Sequence, residues 1–169
     1  LVPGLGYRVR TLHGLAHDIV RDRPALVGLS EDFHIIDDRE TDQVRRQVVA
    51  AWLAAHPQAA QAYLRSDLEG RRQERVLRDD WPALAQEVAA AFIKRAKDYR
   101  YPPERILKTL ERASADYPLA RLGAEVYQEY QKSLAHRAAL DFDDLIRLAL
   151  DALHADADYL ARLQAQWPY

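Results

Sequence analysis

The chain has 169 residues, enough to bury a core as one ordinary domain or two small ones. It is 49% hydrophobic and 30% charged with a formal net charge of −2, so any contact with nucleic acid has to come from local basic patches rather than the chain as a whole. It has no cysteine, which excludes disulfides, thiolate chemistry and cysteine metal sites; no apolar run approaches the ~18 residues of a membrane span, and no signal peptide is visible, so a soluble cytoplasmic protein is expected.

Alanine, leucine and arginine dominate, which favours helix. Tyr7-Arg8-Val9-Arg10-Thr11 alternates apolar and polar residues and predicts a short strand. A helix is expected from about Gly14 to Arg23, stopping before Pro24, then a connector to Glu31 and a short buried segment, Phe33-His34-Ile35-Ile36. Asp37 and Glu40 form a capping-box pattern that opens a helix to about Ala55, with Val44, Val48, Ala51 and Trp52 on one side. Pro57 suits the first turn of a next helix carrying Tyr63 and Leu64. Between Ser66 and Asp80 the pattern is weak, with Gly70 breaking its start and Arg71, Arg72, Arg75 and Arg78 crowded together.

Asp80-Trp81-Pro82 then starts an amphipathic helix to about Tyr99, with Leu84, Val88, Ala91, Phe92 and Arg95 in register. Pro102-Pro103 ends it and begins another through Ile106, Leu107 and Leu110, and Pro118 opens one that carries Leu122, Val126 and Tyr130. Asp141 can cap a helix with Asp143 and Asp144 in its first turn, where the helix dipole favours negative charge. Phe142, Leu145, Ile146, Ala149 and Leu153 form its apolar face, and Asp156 caps a last helix with Tyr159, Leu160 and Leu163 inward. A chain that opens Leu1-Val2-Pro3-Gly4 with no methionine reads as an internal segment of a longer protein, and Trp167-Pro168-Tyr169 stops where an apolar strand is expected to begin.

Three stretches could carry chemistry. In Thr11-Leu12-His13-Gly14-Leu15-Ala16-His17 the two histidines share one helix face, but Gly14 stands where a zinc protease would need its glutamate, and no third ligand is near. From Lys94 to Lys108 there are six basic residues (Lys94, Arg95, Lys97, Arg100, Arg105, Lys108) against Asp98 and Glu104. Such a run is either a solvated helix face or a surface for phosphates. Leu140-Asp141-Phe142-Asp143-Asp144-Leu145, preceded by Tyr127-Gln128-Glu129-Tyr130, reads by itself as a well-capped helix start. No Gly-x-x-x-x-Gly-Lys-Ser/Thr occurs, and Asp143-Asp144 follows no apolar strand.

Taken in order, these stretches resemble UvrD/Rep-like superfamily 1 DNA helicases. Thr11-Leu12-His13-Gly14-Leu15-Ala16 is similar to that family's Thr-Phe-His-Gly/Ser-Leu-Ala element, with Leu12 in place of the usual Phe. Asp32-Phe33-His34-Ile35-Ile36-Asp37 resembles its Asp-Phe-x-Ile-Leu-Asp, and Ile93 to Glu104 its Ile-Ser-x-x-Lys-Asn…Pro-Glu, with Asp98 where Asn is common. The Leu-Asp-Phe-Asp-Asp-Leu segment resembles the lead-up to the Walker B strand. The resemblance implies a mainly α chain with little sheet: residues 1–36 and 137–169 as parts of the RecA-like α/β motor domain 1A, and 37–136 as the helical insertion 1B. It implies a segment of an ATP-dependent helicase moving 3′ to 5′ along single-stranded DNA. Its partners would be that strand, duplex DNA, and the remaining helicase domains 1A, 2A and 2B, with no membrane. Thr11 and His13 would lie on the strand's track, and Lys94, Arg95 and Lys97 would add a second contact. ATP and magnesium are implied for the parent protein and no cofactor for this segment, which without Walker A and B motifs is expected to be inactive alone. The rival expectation is a free-standing α-helical interaction module with no DNA role.

Overall fold

The computed structural model describes residues 11–64 and 68–166. Its helices are α1 (Leu12–Asp22), α2 (Asp38–Ala55), α3 (Gly70–Arg75), α4 (Trp81–Asp98), α5 (Pro103–Arg112), α6 (Pro118–His136), α7 (Phe142–Ala155) and α8 (Ala157–Gln166). Two-residue strands, β1 (His34–Ile35) and β2 (Ala139–Leu140), pair in parallel. The fold is therefore mainly α, as the composition and helical spacing lead one to expect. The strand expected over Tyr7–Thr11 lies, except for Thr11, outside the described residues.

Contacts divide the chain into two units: one formed by the described residues up to Ile35 and from Leu140 onward, the other running from Ile36 to Ala139. Each has its own core. In the first, α1 and α7 pack along each other and bury Ala16, Ile19, Val20, Phe33, Leu145, Leu148 and Ala149, closed by Tyr159 from α8. The Tyr159 hydroxyl donates to the Ile19 carbonyl at 3.3 Å, and burial, reinforced by the nearby Asp22 carboxylate, pushes this phenol up to about 12. In the second, α2, α4 and α6 surround Val44, Val49, Trp81, Ala85, Ala89, Leu122, Val126 and Tyr130, with α5 against α6.

The helix starts are set by side chains the sequence advertises. Asp37 accepts from the Glu40 amide at 2.8 Å while Glu40 accepts from the Asp37 amide at 3.3 Å, a complete capping box for α2. Asp141 accepts from the Asp144 amide at 2.9 Å at the head of α7, and Asp156 from the Tyr159 amide at 2.8 Å at the head of α8. Prolines open α5 and α6, where their missing N–H costs nothing.

Several expectations change. The stripe Leu84, Val88, Ala91, Phe92, Arg95 is not the buried face of α4. That face is Trp81, Ala85, Ala89, Ile93 and Ala96, roughly a third of a turn away at ~100° per residue. Its alanines let α4 approach its neighbours closely, and the bulkier stripe is left at the edge of the core. On α2, Ala51, expected on the apolar side, is exposed, and Val49 is buried with Val44 and Val48. After Pro57 the chain forms a 3-10 turn, Ala59–Tyr63, rather than an α-helix, and Tyr63 stacks on Trp81 at 5.5 Å. The weakly patterned stretch before Trp81 contains α3, begun by Gly70 at φ +55°, and a π turn, Val76–Asp80, that runs into α4.

Candidate nucleic-acid interface

In the first unit, Thr11 is the N-cap of α1. Its hydroxyl oxygen accepts from the Gly14 amide at 3.0 Å, and the first helical bond runs from the Leu15 amide to the Thr11 carbonyl at 3.0 Å. A Cβ on Gly14 would stand 3.3 Å from that hydroxyl, so the glycine makes room for the cap. A hydroxyl used as an acceptor keeps its own proton to donate. The amides of Leu12 and His13 precede the first helical bond and point along the helix start, where an anion is stabilised.

His13 and Leu12 are exposed on this turn. The His13 ring meets Phe142 of α7 edge to face, with centroids 5.4 Å apart and planes at 83°. Phe142, expected on the apolar face of α7, is instead 38% exposed at this corner. An N-cap places the next residue on the first turn, where it need not face inward; that was the one signal available in the sequence. The structure thus joins Thr11 and His13, and adds an aromatic ring that sequence spacing assigned to the core. Of the neighbouring acidic residues, Asp143 is exposed, whereas Asp141 and Asp144 have structural duties. Asp144 is buried and accepts from Arg147 at 3.2 and 3.3 Å, while Arg147 also donates to Asp151 at 3.1 Å.

In the second unit, Lys94, Arg95 and Lys97 part company. Lys94 and Arg95 are exposed on α4 and edge a shallow apolar groove floored by Val88, Ala91, Phe92, Leu119 and Ala120. Lys97 is only 6% exposed, with its ammonium 5.2 Å from the centre of the Tyr130 ring. Three positions separate Lys94 from Lys97, but Lys97 sits on the flank next to the buried face, so its stem packs inward and its charge rests on an aromatic ring. Lys97 is not placed to meet a ligand from solvent. Among the described residues no group of three or more His, Asp or Glu side chains is gathered as a metal site, and His17 pairs with Asp18 at 3.6 Å.

The family model for the UvrD/REP helicase N-terminal domain matches residues 5–169. The chain belongs to the UvrD/Rep helicase family. It is 30% identical over 161 residues to the ATP-dependent DNA helicase PcrA of Leuconostoc citreum, a match that takes in 95% of this chain and 18% of that protein. This UvrD/Rep family member therefore spans under a fifth of the length of that curated relative. Among its described residues no helix is long and apolar enough to cross a membrane.

Proposed function

We propose that this chain is a segment of an ATP-dependent DNA helicase that holds single-stranded DNA while a motor drives it, 3′ to 5′ by family resemblance. On this reading the unit made by α1, α7 and α8 is part of motor domain 1A, and the unit from Ile36 to Ala139 is the helical insertion 1B. The observation that carries the proposal is the family match over nearly the whole chain, together with the exposed start of α1. There a hydroxyl proton and two helix-start amides can meet a phosphate while an imidazole and a phenyl ring offer faces to a base. Lys94 and Arg95 supply charge for a second contact; Lys97 supports α4 from inside.

The nucleotide belongs elsewhere. No phosphate-cradling Gly-x-x-x-x-Gly-Lys-Ser/Thr is present in these residues, so they do not fit ATP and magnesium, and no chemical step is assigned to them. Their work is binding and positioning, alongside the further helicase domains 1A, 2A and 2B and, ahead of the motor, duplex DNA.

Fluorescence anisotropy with a labelled single-stranded oligonucleotide at several salt concentrations tests this. Replacing Lys94 and Arg95 by Ala should flatten the salt dependence by about 1.4, at ~0.7 per phosphate contact on a single strand. His13→Ala should weaken binding at every salt concentration without changing the slope, since a stacked ring acts independently of counterions. A wild-type chain that binds at low salt no better than a neutral control protein would refute the proposal. The rival, an interaction module without a DNA role, predicts that outcome.

A further inference from the structure

At the corner between α4 and α5 a residue other than glycine takes the left-handed conformation. At the end of α4 the Tyr101 amide bonds to the Ala96 carbonyl at 2.8 Å and the Arg100 amide to the Lys97 carbonyl at 2.9 Å. That pair of bonds is the Schellman motif, which puts one residue into the left-handed region and strongly favours glycine there. Here the residue is Arg100, at φ 56°. Two prolines follow, Pro102 in extended conformation and Pro103 as the first residue of α5, so the turn is fixed on both sides.

What this rigid corner displays is alternately aromatic and cationic. Tyr99 is 62% exposed and Tyr101 43%. The Arg95 guanidinium lies 5.6 Å from the centre of the Tyr99 ring, and that of Arg105 lies 4.8 Å from the centre of the Tyr101 ring. Each arginine approaches one ring, and both tyrosines stay partly exposed beside it. A guanidinium over a ring keeps N–H donors at its edge in the fork that matches a phosphate. Arg100 stands exposed between the two pairs, and the acidic residues of the stretch are Asp98 and Glu104.

We infer that Tyr99, Arg100 and Tyr101, with Arg95 and Arg105, form a contact for an unpaired nucleic-acid strand, the tyrosines stacking on bases and the arginines pairing with phosphates. The exposed rings favour this occupant over an acidic peptide or a duplex, because neither offers a flat base face to stack on them. A strained arginine where glycine would be more stable is accounted for if its guanidinium is needed there. The inference rests on the reading that the chain handles DNA, and it adds residues to that reading which the basic run alone did not single out.

The test uses the whole 169-residue chain and a short labelled oligothymidine. Tyr99→Leu with Tyr101→Leu should weaken binding by roughly fivefold or more per ring with the salt slope unchanged. Arg100→Gly should lower the slope by about 0.7, while its melting temperature stays level or rises, since glycine suits the left-handed turn. A variant that folds better and binds worse is not what a merely structural role produces. If the wild-type chain binds and all three substitutions leave affinity and slope untouched, the corner is not a contact, and the wider DNA reading stands without it. Equal losses for single-stranded and duplex oligonucleotides of the same length would overturn the stacking assignment. A wild-type chain that binds neither would sink both readings.

Discussion

Gly123 sits in the middle of α6, and its replacement by Ala offers a test in which the sign of the effect decides. A Cβ built there would lie 2.4 Å from Cγ of Phe92, 2.6 Å from Cδ2 and 2.9 Å from Phe92's own Cβ. The ring could swing about χ1, but the Phe92 Cβ is fixed to the backbone of α4. To restore an ordinary contact of 3.4 Å from 2.9 Å, α4 would have to retreat by about 0.5 Å from a core already closed by Leu122 and Val126. Overpacking of this kind costs typically 1–3 kcal/mol. Glycine to alanine inside a helix returns about 1 kcal/mol through propensity. The net expectation is a loss of up to about 2 kcal/mol, at ~4–8 °C of melting temperature per kcal/mol for a unit of this size. Circular dichroism at 222 nm during heating reads it directly. The mechanism also predicts coupling: adding Phe92→Ala to Gly123→Ala should cost clearly less than the sum of the single changes, because the clash is gone. If Gly123→Ala instead raises the melting temperature, as it would on an open helix surface, the close approach of α4 and α6 is wrong.

Removing the capping box with Asp37→Ala should cost about 1 kcal/mol, seen as a lower urea midpoint with unchanged slope. Lys97→Ala should destabilise the unit by about 1–3 kcal/mol through its lost buried stem yet leave the salt slope of DNA binding alone, whereas Lys94→Ala should do the reverse. Tyr159 holds its proton up to about 12, above the ~10 of an unfolded tyrosine. Its contribution is therefore complete below pH ~10 and is lost as the pH climbs from there towards 12. Urea midpoints at pH 9 and pH 11 should diverge for the wild type and converge in Tyr159→Phe, whatever stability that variant loses from the missing hydrogen bond to Ile19.

How much of this was readable in the sequence depends on how local the physics is. Caps are local: Asp37, Asp141 and Asp156 each act on an amide three residues away, and all three do what their spacing says. Prolines are local too, which is why the starts of α5 and α6 fall at Pro103 and Pro118. Which side of a helix is buried is not local. Along α4 two stripes compete, one of large apolar residues and one of alanines between Trp81 and Ile93. Hydrophobicity alone favours the first. The partner helices decide for the second, because small side chains permit close approach and Gly123 on α6 accepts Phe92 from the flank. The π turn before Trp81 was hidden for a similar reason, since the register shift it makes is settled by what Trp81 packs against, Tyr63 among others.

The candidate interface divides along the same line. Thr11 and His13 were singled out by their likeness to a family element, with the helix expected only from about Gly14; the structure starts α1 at Leu12, makes Thr11 its N-cap and leaves both residues on an exposed turn. Counting charge from Lys94 to Lys108 treated every cation as equal, and three-dimensional placement separates them. Lys97 is drawn inward over Tyr130, Arg95 and Arg105 stand over tyrosines, and Arg100 occupies a left-handed turn. A solvated face needs no such order: its lysines and arginines gain little from any fixed partner and lose rotamer freedom by taking one. Cations held on exposed rings have already given up that freedom before a ligand arrives, so binding a strand costs them less. The arrangement at Tyr99–Tyr101 is thus what separates a surface preorganised for phosphates and bases from a merely soluble helix end. It also explains why net charge, at −2 for the whole chain, carries so little information about where a polyanion would bind.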